Sequence, residues 1–124
     1  MELKQHYEKE VCGIVLICEL IQMGRDYTIC LWDSRGGHIG SVCMAVARPS
    51  LASNGISATS SVLNLSGHKE EGIARRFAEA VAVRENCTAV CNCGIHLDNI
   101  RPEQITMIEE ACEEFLQEIV RDKI

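Results

Sequence analysis

A chain of 124 residues fits one domain, spanning 1–124, and a hydrophobic share of 47% is enough to build a core without disulfide staples. The net charge of −6 argues against a general nucleic-acid binder, whose phosphate contacts need an excess of Lys and Arg. The longest apolar stretch, Val11 to Met23, is too short to span a bilayer and contains Glu19, so no membrane role is expected.

The opening segment, Met1 to Glu10, is polar and mixed in charge and does not read as a signal peptide. Val11 to Met23 is rich in Val, Ile and Leu and reads as a strand. Gly24-Arg25-Asp26 reads as a turn, and Tyr27 to Asp33 as a second strand forming a hairpin with the first. Ser34-Arg35-Gly36-Gly37 breaks the chain before a third strand, His38 to Ala47. A loop from Pro49 to Gly55 then leads into a Ser-rich fourth strand, Ile56 to Leu65.

The period then changes. Ile73, Phe77, Ala80 and Val81 follow helical spacing between His68 and about Val83, and Cys87 to Ile95 is a short apolar strand. Pro102 opens a second helix whose apolar face is Ile105, Ile108, Cys112, Phe115 and Ile119, with Glu109, Glu110, Glu113, Glu114 and Glu118 outside. The order β-β-β-β-α-β-α predicts a two-layer α+β domain, with a mostly antiparallel sheet and both helices on one face. The strand–helix–strand unit from Ile56 to Ile95 should set two strands parallel. Ile14-Val15-Leu16-Ile17 is apolar enough to be covered on both sides, which predicts a homodimer burying the second face.

Charge is unevenly placed. Arg35 to Arg76 holds five basic and two acidic residues, leaving −9 on the rest of the chain. A basic middle in an acidic protein points to a local anionic ligand such as a phosphate, or to chance clustering. The eight cysteines, in a chain without a signal peptide, predict reduced thiols and a cytoplasmic location. Cys87, Cys91 and Cys93 share one face of a strand, but no Cys-x-x-Cys pair exists. Buried thiols are therefore the expected reading, and a metal site the lesser one.

Three of the four histidines lie beside glycine, or one residue from it, at strand–loop junctions: His38 in Gly36-Gly37-His38-Ile39-Gly40, His68 in Gly67-His68-Lys69-Glu70, and His96 in Gly94-Ile95-His96-Leu97-Asp98-Asn99. Glycine admits close backbone approach, and histidine donates, accepts or carries charge near neutral pH. A helix starting at Gly67-His68 would aim its free N–H groups at an anion, with Ser60, Ser61 and Ser66 nearby, unless Glu70 and Glu71 satisfy that end. No Gly-x-Ser-x-Gly elbow, His-Glu-x-x-His pair or Walker loop is present, so no independent catalyst is expected.

In this order, Gly36-Gly37-His38-Ile39-Gly40-Ser41-Val42, Thr59-Ser60-Ser61-Val62 leading to Gly67-His68-Lys69-Glu70, and Gly94-Ile95-His96-Leu97-Asp98-Asn99-Ile100 resemble the prenylated-flavin chaperone-like family. Its members are the accessory D components of gallate and hydroxyarene decarboxylases. The resemblance runs from about Trp32 to Cys112. It implies a fold like that of proteasome assembly chaperone 3, often dimeric. It implies a non-catalytic role, binding prenylated FMN or FMN and delivering it to a UbiD-like decarboxylase. Carried over by position, the binding candidates are Gly36, Gly37, His38 and Gly40, then Gly67, His68, Lys69 and Glu70, then His96, Asp98 and Asn99. The phosphate would sit at the Gly67 helix end, near Arg48 or Lys69. The competing expectations are a ligand-free assembly chaperone and a small thiol- or metal-dependent enzyme.

Overall fold

The computed structural model describes residues 4–65, 70–96 and 99–123. Six strands and two helices follow in chain order: β1 (Lys4–Val11), β2 (Ile14–Met23), β3 (Asp26–Asp33), β4 (Ser41–Pro49), β5 (Ile56–Asn64), α1 (Glu71–Glu85), β6 (Thr88–Gly94) and α2 (Pro102–Lys123). They form one sheet in the order β1-β2-β3-β6-β4-β5. All pairings are antiparallel except β3 with β6. The α+β expectation holds, with one strand more than the sequence pattern predicts. Lys4–Val11 is polar because it is an edge strand, and edges are commonly guarded by charge.

Alternation sets the two faces of the sheet. Ile14, Leu16, Cys18 and Leu20 of β2, Ile29 and Leu31 of β3, Cys43 and Ala45 of β4, and Ala89, Cys91 and Cys93 of β6 are all buried. The helices cover this face with Phe77, Ala78 and Val81 of α1 and with Ile108, Cys112, Phe115, Leu116 and Ile119 of α2. Ile105, expected on the apolar stripe of α2, is 43% exposed in the first turn of that helix. At the β1 edge, Tyr7 meets the ring of Phe115 edge-on at 6.2 Å, and Lys9 pairs with Glu114 and Glu118. Arg76 joins the helices through Glu113, whose carboxyl it holds below the usual range.

The expected parallel relation of the strands flanking α1 is present, with β4 lying between them: β5 and β6 both run antiparallel to β4. This topology collects the β3–β4, β5–α1 and β6–α2 connections, and both helix starts, at one rim. Asp33, Ser41, Asn64 and Gly94 mark the strand ends there. Among the described residues, no helix or strand packs on the opposite sheet face. Val15, Ile17, Trp32, Val42 and Val90 are half-buried on it, while Met44 and Val46 are exposed.

The β1–β2 turn is two residues long, with both Cys12 (φ 52°) and Gly13 (φ 75°) left-handed. That conformation suits Asn-Gly and costs a side chain such as Cys about 1–2 kcal/mol. Cys12→Asn should therefore raise unfolding stability by about 1 kcal/mol, read as a higher urea midpoint at unchanged m-value.

Candidate functional site

The rim is organised by a residue that none of the sequence motifs contains. Asp33 ends β3 pointing into the helix-covered face and is 1% exposed. Its Oδ1 accepts the N–H groups of Arg35 at 2.9 Å and Gly36 at 2.7 Å. Its Oδ2 accepts the N–H of His96 at 2.8 Å. One carboxylate thus closes the β3–β4 loop on itself and pins it to the β6–α2 loop. The signal was present in Asp33-Ser34-Arg35-Gly36, an Asx-turn pattern at a strand end.

The His38 backbone then crosses directly over Gly94, where a Cβ would lie 1.7 Å from the His38 carbonyl oxygen. Only glycine allows that crossing. The His38 ring turns back, with Nδ1 2.6 Å from the Gly36 carbonyl, so Nδ1 carries the proton and donates it. Nε2 faces Glu70 Oε1 at 3.6 Å. The His38 and His96 rings meet edge to face, 6.1 Å apart. His38, His96 and Glu70, from three separate connections, therefore converge.

The other candidates differ. Gly36 and Gly37 form the loop that holds His38, and Gly37 abuts the Trp32 indole. Gly40 is buried with both backbone groups engaged: it donates to the Cys93 carbonyl and accepts from Leu65 N–H. Asn99 is exposed and left-handed (φ 53°), turning the chain toward α2. Gly67, His68, Lys69 and Asp98 lie outside the described residues.

Helix α1 begins at Glu71, later than the Gly67-His68 pattern suggests. Glu70 precedes it without capping it, since this 7% exposed side chain is turned toward His38. Glu71 instead accepts from Asn64, which in turn holds the Ser41 hydroxyl.

The basic middle does not gather here as expected. Arg48 is seven residues along β4 from the rim residue Ser41, about 23 Å away at strand rise. Arg48 binds Thr59, and Arg75 binds Ser60 and Glu71. Ser60 is committed to Arg75 and Glu79, four residues short of the β5 end. Among the described residues of the basic middle, Arg35 remains, exposed at the rim.

Burial pushes the Cys91 and Cys93 thiols well up, Cys112 to about 12 and Cys87 to about 11. At neutral pH these thiols stay protonated and pack as small apolar groups. Among the described residues, no three His, Cys, Asp or Glu side chains gather as a metal-holding set.

Substituting Asp33 tests the rim directly. In Asp33→Asn, an amide NH₂ would have to face one of the N–H donors. The expected cost is about 2–3 kcal/mol in urea unfolding, with faster hydrogen exchange at Gly36 and His96 than elsewhere in the sheet. Unchanged exchange at both amides would contradict the carboxylate's bridging role.

Comparison with known proteins bears on the fold and the family. In fold, the chain is similar to a chain in a crystal structure titled as a novel chaperone complex for yeast 20S proteasome assembly. The TM-score is 0.51 with 14% identity, over 96% of this chain and 99% of that one. No curated protein sequence matches it. The model of the prenylated flavin chaperone LpdD-like domain matches residues 9–123, nearly the whole chain, and the protein belongs to that family.

Proposed function

We propose that the rim binds flavin mononucleotide, in its prenylated form, and that the protein hands this cofactor to a UbiD-like hydroxyarene decarboxylase. The observation that carries the reading is the junction at Asp33, which brings His38 and His96 within 6.1 Å of each other beside Glu70. Family membership supplies the flavin.

The described residues fit such a group. Ile39, Leu65 and Ile100 are exposed around the junction, at 57%, 57% and 38%, and offer apolar contact to a fused ring. The histidine rings and Arg35 offer donors to ring oxygens and phosphate. The Asp33 and Glu70 carboxylates oppose a dianion. An affinity low enough for release suits a carrier better than a resident cofactor site. When bound, the flavin would supply the electron sink of its partner's chemistry. The residues here only orient and shield it.

Titration with FMN and prenylated FMN, followed by flavin fluorescence, should show binding in the submillimolar range. His38→Ala and His96→Ala should each weaken it about tenfold, the size of one or two lost hydrogen bonds. No binding of either flavin would leave protein assembly as the remaining role.

The open sheet face supports a second element of the reading, a homodimer. Met44 (48% exposed) and Val46 (44% exposed) lie beside Val42, Val90, Ile17 and Trp32 on a face that no helix or strand covers among the described residues. Two such faces stacked across a twofold axis would bury a continuous apolar layer. Sedimentation at micromolar concentration should give a dimer, and Met44→Glu a monomer. Cys30, half-buried on the same face, should be alkylated faster in Met44→Glu than in the parent chain. A monomeric parent chain would remove the dimer while leaving the flavin reading standing.

A further inference from the structure

The two edges of the sheet are built differently. β1 carries Lys4, Glu8, Lys9 and Glu10, with His6 bonded to Glu8 and Glu19. β5, at the other edge, is nine residues long and contains no charged residue and no proline. A long, uncharged edge offers its backbone to another strand.

The register identifies the groups on offer. Ser50 N–H donates to Gly55 and Leu65 N–H to Gly40. These two bonds bracket the β4–β5 ladder and fix its parity, since antiparallel partners alternate between bonded and unbonded pairs. Ser57, Thr59, Ser61 and Leu63 therefore face β4. Ile56, Ala58, Ser60, Val62 and Asn64 turn their backbone groups outward. The contact of Arg75 Nη1 with the Ser60 carbonyl, at 3.5 Å, agrees with this parity.

Alongside the edge runs a groove of about 350 Å³ between β5 and α1. Ala58, Ala80 and Val83 line it with apolar surface, and Arg76, Arg84 and Glu79 with charge, Arg76 also reaching Glu113. Arg75 stands on the groove side through Ser60, while Arg48 borders the same edge from the opposite sheet face through Thr59. The carboxylates there are already held, Glu79 by Ser60 and Glu71 by Arg75 and Asn64. Three of the five cations of the basic middle thus border β5.

We propose that β5 is a strand-addition site for an extended, acidic segment of a partner protein. Main-chain bonds to Ile56, Ala58 and Val62 would give affinity. Alternate side chains would enter the groove, where carboxylates meet the arginines. A second copy of this chain fits worse, because an antiparallel pairing of two β5 strands would bring two sets of the same arginines together. The surface lies along the sheet edge rather than at the histidine junction, so this proposal and the flavin reading stand or fall separately.

The test uses the full ¹⁵N-labelled chain and two nine-residue probe peptides, one alternating Val with Glu and one alternating Val with Lys. The acidic peptide should shift and protect the Ile56, Ala58 and Val62 amides and bind about tenfold or more tightly than the basic one. Ala58→Pro removes one outward N–H without touching the β4 ladder, and should abolish binding while leaving circular dichroism and flavin titration unchanged. If that variant does not fold, Arg84→Glu on the exposed wall should erase or reverse the preference between the peptides. Equal affinity for the two peptides, shifts confined to the histidine loops, or no binding at millimolar peptide would overturn the proposal. So would loss of a dimer on Ala58→Pro, which would assign the edge to a second copy.

Discussion

One buried carboxylate determines whether the rim exists as a unit. Asp33 is 1% exposed and accepts three main-chain N–H groups from two connections that are about sixty residues apart in sequence. A buried anion is costly unless its lone pairs are filled, and here they are filled by the loops themselves. The loops cannot open without leaving that charge uncompensated. The Gly94 crossing adds a steric constraint to the same junction: the His38 main chain rests where any side chain would stand. His38 and His96 owe their mutual placement to these two features, and Glu70 joins them from the start of the α1 connection.

The fold class was legible because the apolar runs of β2 and β3 and the 3-4 spacing in α2 are local patterns, and burial follows the α2 stripe from Ile108 to Ile119. β1 was not legible as a strand: every second residue of Lys4–Val11 is exposed, and the rest are only half-buried. Nor does local pattern reveal that β6 lies between β3 and β4, since strand order is decided by long-range pairing. At the site, the glycine-flanked histidines were visible as motifs, and His38 and His96 do meet. The Asx-turn pattern at Asp33 marks a local turn, but its bond to the distant His96 amide is not a local signal. Arg48, Arg75 and Arg76 pointed to an anion, but linear charge could not say that they border β5 instead of the rim.

The chain separates three surfaces with different chemistry. The rim is polar and rich in histidine, the open sheet face is apolar, and the β5 edge offers backbone bordered by arginine. The interior contributes little chemistry of its own. With few aromatic residues, it uses Cys18, Cys43, Cys91, Cys93 and Cys112 as space-fillers, and burial keeps their protons on.

The position of β6 also orders the assembly of the molecule. The β1–β2–β3 meander and the β4–β5 hairpin are each contiguous and can form early, but they share no border in the finished sheet. Only the late-arriving β6 joins them, parallel to one block and antiparallel to the other. Insertion of a central strand closes large loops, a slow kind of step. Since the His96 amide follows β6 directly, a chain still emerging from the ribosome lacks the histidine junction until its last strand has slotted into the gap. The histidine junction is thereby tied to the insertion of β6, the strand that joins the two halves of the sheet.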